Sequence, residues 1–420
     1  MVSEEKKGQL AIFGGKPTFP KPLHVGVPNL GDRDRLFARI EGMLNRKVLT
    51  NRGPLVVEFE ERIADLVGVK HCISMSNGTV ALEIVTRALG FEHEVITPSM
   101  TFVATAHALQ WQRITPIFCD VTPGGHHLDP ARIRALVTPR TSGILPVNLW
   151  GRPVNIDTIL SVAGQYDLPV VFDSAHAFGC SYKGKMIGGF GKAEVFSFHA
   201  TKFINAFEGG AVVTDDAELA EKVRLMQNFG FEGRGQVSHV GINGKMTEVE
   251  AAMGLTSLES MDYFIRHNKG NYLAYKEGLQ GIPGVELMEY DEDEYCNYQY
   301  IVIEIDERIA SVACSNLLEV LSAENVDARR YFNPGCHRME PYRSYFPNAG
   351  MLLENTERLL DRVLTLPTGT AISVDEVNKI TSLVTRVIES GRAVRSRLRA
   401  RAGTLHNIAE EGVAKCADFR

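Results

Sequence analysis

The sequence predicts an α/β protein: a mostly parallel, doubly wound sheet in a large domain, followed by a smaller α+β domain. Three observations carry this. From Glu94 to Asp173, short apolar runs alternate with amphipathic helical segments, the pattern that buries a parallel sheet between helices. Ahead of them, residues 72–90 read as strand, polar Gly-containing turn, amphipathic helix and closing Gly. At 420 residues and 44% hydrophobic content, the chain is long enough for two sizeable cores.

Composition narrows the class. No apolar run is long enough to span a bilayer, and no apolar stretch of signal-peptide length follows the charged start, which predicts a soluble cytoplasmic protein. Seven dispersed cysteines without CxxC pairs read as reduced thiols rather than zinc ligands or a disulfide framework. A net charge of −6 argues against wholesale nucleic-acid binding. The sequence holds no internal repeat or long low-complexity tract.

Residues 11–30, rich in Pro and Gly, read as an extended arm. Helices are predicted over 32–44 and 54–67, the second with Val56, Phe59, Ile63, Leu66 and Val67 at helical spacing. Between them, Val48-Leu49-Thr50-Asn51-Arg52-Gly53-Pro54 suits a loop, either a connector or the wall of a site. A strand over 72–75 runs through the turn Ser76-Asn77-Gly78-Thr79 into a helix over 80–89. That turn leaves unpaired N–H groups at the positive end of a helix, where a phosphate fits; Ser and Asn also cap helices with no ligand.

Strands then follow over 95–97, 116–120, 143–147 and 169–173, separated by helices over 104–110, 129–136 and 154–166. In such sheets ligands collect at the carboxyl ends of the strands. Asp173 ends the apolar run Val170-Val171-Phe172, so its carboxylate needs a cation or donors; capping the next segment is the other use of an Asp there. Phe102 lies just past another strand end, in the core or against a ligand ring.

Downstream, Phe196-Ser197-Phe198-His199-Ala200-Thr201-Lys202 leaves a short apolar strand and returns through Gly209-Gly210 into a strand over 211–214. A lysine in such a loop is partly desolvated, which favours the neutral amine and Schiff-base chemistry, although surface lysines are far commoner. Phosphate turn, aromatic ring, buried Asp, nearby His and reactive Lys together make up a set that holds pyridoxal 5′-phosphate. Asp173 would keep the pyridinium protonated, Phe102 would stack on the ring and His176 would bond the phenolic oxygen. Gly78, Thr79 and Ser197 would hold the phosphate, and Lys202 would form the Schiff base and shuttle the proton.

Helices over 248–264 and 268–279 read as one long or kinked element leading to strands over 285–287 and 300–303 and a helix over 315–324. The expected organisation is an arm (1–30), a large domain (31–264), a small domain (265–390) and an extension (391–420). The extension carries Arg392, Arg395, Arg397, Arg399 and Arg401 and suits a solvated helix better than a nucleic-acid arm.

The dispersed motifs resemble the DegT-type nucleotide-sugar aminotransferases, a fold-type I pyridoxal-phosphate family, from about Leu23 to Leu383. They are Thr50-Asn51-Arg52-Gly53-Pro54; Ser76-Asn77-Gly78-Thr79; Pro98-Ser99-Met100-Thr101-Phe102; Phe172-Asp173-Ser174-Ala175-His176; Ser197 through Lys202; and Gly241-Ile242-Asn243-Gly244-Lys245-Met246-Thr247. The resemblance implies a homodimer in which Asn243 completes the partner's phosphate site. It also implies L-glutamate as amino donor and a nucleotide-linked ketosugar as acceptor. Asn51, Phe207, Arg330, Tyr331 and His337 are the implied substrate contacts, the last three in the segment that closes over the substrate; Arg330 could bind a carboxylate or phosphate there, with a surface salt bridge as its default use.

Departures from the family pattern are informative. His176 stands where Gln is common. Phe207-Glu208-Gly209-Gly210 replaces Gly-Glu-Gly-Gly and resembles enzymes making 4-amino-4,6-dideoxyglucose, which implies a thymidine-diphosphate 4-keto-6-deoxyglucose substrate. Related sugar dehydratases carry His at the lysine position, so Lys202 favours transamination. A 3-keto aminotransferase, a dehydratase and a non-catalytic regulator of the same fold remain alternatives.

Overall fold

The computed structural model describes residues 9–233 and 235–400. Seven strands form the main sheet: β1 (His71–Met75), β2 (Glu94–Pro98), β3 (Thr115–Cys119), β4 (Thr141–Ile144), β5 (Val171–Asp173), β6 (Ala193–Ser197) and β7 (Gly210–Thr214). Their order is β1-β7-β6-β5-β4-β2-β3, the two halves joined by the parallel bridges Ile144↔Val170 and Val147↔Asp173. Within this sheet β7 departs from the parallel pattern, running antiparallel to β1 and β6. A parallel return requires a crossover element, whereas the segment between β6 and β7 contains no helix and simply reverses the chain.

Successive strand residues point to opposite faces, and both faces are covered. Cys72, Ile96, Phe172, Phe196 and Val213 pack on one side with Phe59 and Ile63 of α2 (Pro54–Val67) and Ile159 of α6 (Ile156–Gly164). Their neighbours Ile73, Val95, Val171, Val195 and Val212 pack on the other side with α3 (Gly78–Ala88), α4 (Val103–Gln110) and α7 (Ala217–Met226). The remaining helices of this part are α1 (Arg33–Arg46), α5 (Pro130–Leu136), α8 (Glu248–Glu259) and α9 (Met261–Leu279). Ser260 (φ −100°, ψ 3°) breaks the α8–α9 run into two helices.

Helix α2 starts at Gly53, which has no side chain to cap it. The buried carboxylate of Glu248 does so instead, accepting from the N–H groups of Leu55 (3.1 Å) and Val56 (2.8 Å). A Cβ on Gly53 would approach that carboxyl carbon to 2.6 Å, so glycine is what lets it in. Glu248→Ala should therefore lower unfolding free energy by about 2 kcal/mol in a denaturant titration, the cost of two orphaned donors at a helix N-terminus. An unchanged midpoint would remove the cap from the account.

Three antiparallel strands, β8 (Val285–Leu287), β9 (Ile301–Ile305) and β10 (Val363–Leu366), form a second sheet. They share a core with α9, α10 (Cys314–Ala323) and α11 (Val374–Glu389). The N-terminal segment joins this part rather than lying free: Leu23–His24 pairs in parallel with Val326–Asp327, and the Glu324 carboxylate accepts from Ala11 and Thr18. Residues 391–400 continue as helix; Arg401 and Cys416 lie outside the described residues. Among the described residues, no helix is long and apolar enough to cross a membrane.

Candidate active site

A cavity of about 610 Å³ opens where β1, β2, β5 and β6 end and β7 begins. At one end lies the start of α3. Asn77 caps it, its side-chain oxygen accepting from Val80 N–H at 2.9 Å, and the N–H groups of Gly78 and Thr79, the first in the helix, have no acceptor within it. A Cβ on Gly78 would meet Ser197 Cβ at 3.1 Å, and one on Gly210 would meet the Asn77 backbone at 2.5 Å. The glycines thus bring the turn, Ser197 and β7 together around a small polar cradle.

Asp173 projects from the end of β5. Its Oδ2 accepts from Thr105 Oγ1 at 2.8 Å, and Thr105 in turn bonds Thr101 at 2.9 Å; Oδ1 accepts from Ala175 N–H at 3.1 Å. Burial raises the carboxyl pKa above its ordinary value, opposed by these donors and by the charge of Lys202. His176 is fixed as a neutral ring: its Nδ1 accepts from Trp150 N–H at 3.2 Å, so the proton sits on Nε2. Burial first, then the Lys202 charge, holds its pKa well below the usual range. The ring packs against Tyr300 (4.5 Å between centroids) and Phe332 (5.9 Å).

Lys202 rides on a loop anchored by buried Phe203, Ile204 and Ala206 and closed by Phe198 N–H to Gly209 O (2.8 Å) and Ala206 N–H to Phe198 O (2.8 Å). The side chain is half-buried and lines the cavity, and desolvation brings the amine down to about 8 against the opposing pull of Asp173. Phe102, 56% exposed, stands at the start of α4 with its ring 5.9 Å from that of Phe332.

Eight of the residues singled out from sequence meet in this cavity: Gly78, Thr79, Phe102, Asp173, His176, Ser197, Lys202 and Tyr331. Five others lie elsewhere in this chain. Arg330 is turned away, donating to Leu360 O (2.8 Å) and Asp361 (3.4 Å). His337 is buried between Ser99 Oγ and Glu357 Oε1, both at 2.6 Å, so it ties its segment to the turn before Phe102 instead of facing the cavity. Asn51 sits in a separate crevice beside Arg52 and Glu60. Exposed Phe207 adjoins the cavity through its neighbour Glu208, and exposed Asn243 bridges to Asn228.

Sequence reasoning missed Thr105, Tyr300, Phe332, His199 and Gln299, all of which line the same space. Three of them lie within stretches that the sequence singles out, His199 between Ser197 and Lys202, Phe332 beside Tyr331 and Thr105 at a helical i+4 spacing from Thr101, but sequence assigns none of them a role. His199 Nδ1 bonds the Thr201 hydroxyl at 2.9 Å, and its Nε2 lies 3.7 Å from Glu208.

Comparison with known proteins places this geometry. The pattern of the DegT/DnrJ/EryC1/StrS aminotransferase family matches residues 32–385. The chain belongs to that family. It is a sugar aminotransferase of the pyridoxal-phosphate-dependent, fold-type I class. It is 34% identical over 369 residues to dTDP-4-amino-4,6-dideoxy-D-glucose transaminase of Shigella dysenteriae, covering 87% of this chain and 99% of that protein. It is 41% identical over 262 residues to UDP-2-acetamido-2-deoxy-3-oxo-D-glucuronate aminotransferase of Pseudomonas aeruginosa, 61% of this chain and 73% of that one. Among solved structures it resembles DesI, crystallised in the presence of its TDP-sugar product, with a TM-score of 0.89 and 48% identity over 93% of this chain and 99% of DesI.

Proposed function

We propose that this aminotransferase moves an amino group from L-glutamate to carbon 4 of dTDP-4-keto-6-deoxy-D-glucose, giving dTDP-4-amino-4,6-dideoxy-D-glucose, with pyridoxal 5′-phosphate held by Lys202. The observation that carries the chemistry is the convergence of Lys202, Asp173 and the α3 N-terminus on one cavity. Its residues fit the cofactor. The cradle of Gly78, Thr79 and Ser197 offers N–H and O–H donors at the positive end of a helix, which suits a phosphate. Asp173 has a raised pKa and, among the described residues, no cation but Lys202 acting on it, so it suits a ring nitrogen that carries a proton. His176 Nε2–H suits a phenolic oxygen and Phe102 the ring face.

When bound, the cofactor supplies an electron sink for exchange of an amine with a carbonyl. The chain's part is positional and acid–base. The Asp173 carboxylate, oriented by Thr105 and Ala175, would hold a proton on the ring nitrogen opposite it. Lys202 Nζ takes the α-proton of the donor and later returns a proton to the acceptor side, a role open to an amine whose pKa lies near 8. Phe102, Tyr331 and Phe332 wall the space and limit water around the reacting carbon.

The substrate reading rests on the likeness to the Shigella enzyme and to DesI, whose names specify a 4-amino-4,6-dideoxyglucose and a TDP-sugar product. The likeness to a 3-oxo-sugar enzyme makes carbon 3 the alternative to test. Incubation with L-glutamate and separate dTDP-linked 3-keto and 4-keto sugars should give an amino sugar only from the 4-keto compound. Amination at carbon 3 alone would overturn the regiochemistry.

The shared-site homodimer belongs to the same proposal. Phe229, Phe231, Val237, Val240 and Ile242 are all exposed next to Asn243, and Phe207 is exposed beside the cavity; apolar surface of this kind supports burial against a second copy. A monomeric mass by sedimentation of the active holoenzyme would remove this arrangement.

A further inference from the structure

The α-carboxylate of an amino donor is bonded to the carbon that carries the amine, so it must be held close to Lys202. Among the described residues no arginine lines that cavity, and Arg330 is engaged with Leu360 and Asp361. Gln299 supplies an alternative. It is 5% exposed, yet it lines the cavity with Lys202.

Main-chain groups dictate which way its amide faces. Asn29 accepts from Thr370 N–H at 3.0 Å, so its other side-chain atom is the NH2, which donates to Phe203 O (3.2 Å) and to Gln299 (3.1 Å). Asn268 donates to Asn297 O at 3.1 Å and likewise to Gln299 at 3.0 Å. The Gln299 atom that receives both donors is therefore its carbonyl oxygen, and the amide N–H groups have no acceptor among the described residues. The network also fixes where Gln299 lies. Phe203 follows Lys202 directly, while Gln299 N–H donates to Asn297 Oδ1 (3.1 Å), and Asn297 donates to His176 O (3.0 Å). Gln299 thus sits between the Lys202 and His176 loops, at the reacting side of the cavity rather than at the Gly78 cradle.

We propose that the side-chain amide of Gln299 binds the α-carboxylate of the amino donor. This rests on the transamination reading above. A rigid amide donor in a buried setting binds a carboxylate without a permanent cation, which leaves the same space open to the neutral ketosugar in the other half of the reaction.

Gln299→Glu tests it, because a carboxylate still accepts from Asn29 and Asn268 but offers no N–H and repels the donor's charge. Gln299→Met removes the donors without adding charge. With each holoenzyme, loss of the visible cofactor band is followed on titration with L-glutamate and, separately, with dTDP-4-amino-4,6-dideoxyglucose. The unfolding midpoint and the starting band are recorded for each. Expected are an unchanged starting band, a glutamate affinity lower by about 10- to 100-fold in both variants, and an amino-sugar affinity within about threefold of wild type. Unchanged glutamate affinity in the Met variant, or equal losses for both ligands, would overturn the assignment. If wild type ignores L-glutamate but responds to another α-amino acid, the donor named above is wrong and Gln299 is judged on that amino acid; response to no α-amino acid overturns both.

Discussion

Lys202→Ala is expected to abolish amino transfer, with kcat falling by at least about 10⁴-fold, while the protein still folds. The loop is held by the buried Phe203, Ile204 and Ala206 and by main-chain bonds, none of which uses the lysine side chain. No other amine lines the cavity among the described residues, and His199 is engaged with Thr201 and Glu208. Borohydride reduction of the holoenzyme, followed by peptide mass analysis, should find the pyridoxyl group on Lys202 in wild type and nowhere in the variant. The lowered pKa adds a second readout. Capture of the aldehyde requires the neutral amine, so the apoprotein's capture rate should rise about tenfold per pH unit at low pH and level off through the amine's pKa. With that pKa at about 8, levelling should begin there. A rate still climbing steeply near pH 10 would mean an ordinary lysine and would undo the desolvation argument.

Much of this site could be read before any coordinates because its parts are local. Asn77 caps the helix that begins with Gly78, Asp173 ends a strand, and the Lys202 loop joins two strands; each is a short-range consequence of residues adjacent in the chain. Helix starts were legible for the same reason, with Pro54 and Pro130 each at the first helical position. What sequence could not supply were partners brought together across hundreds of residues. Arg330 has the right type and neighbourhood for an anion, but it finds Leu360 O first. His337 is saturated by Ser99, which precedes it by 238 residues, and by Glu357. Gln299 looked unremarkable because its meaning depends on Asn29, 270 residues earlier. The antiparallel course of β7 escaped for a related reason: hydrophobic alternation says that a strand is buried, not which way it runs.

Asp173→Asn is expected to cost about 10²- to 10³-fold in kcat, because in the proposed function a preorganised charge that would face the proton-bearing ring nitrogen is replaced by a neutral amide. The fold should tolerate the change. An asparagine oxygen can keep the Ala175 N–H bond, and its NH2 can donate to the Thr105 hydroxyl, which then turns its own proton toward Thr101. A loss of activity would therefore report charge rather than collapse. Thr105→Val separates orientation from charge: it removes one donor from the carboxylate but leaves the negative charge in place, so the decline should be smaller than for the Asn variant. Because that donor also holds the carboxyl pKa down, the Val variant should lose activity at a higher pH than wild type as the pH is lowered. Asp173→Asn activity within about threefold of wild type would mean that the buried carboxylate serves the strand end alone, and the proton-holding role would pass from Asp173.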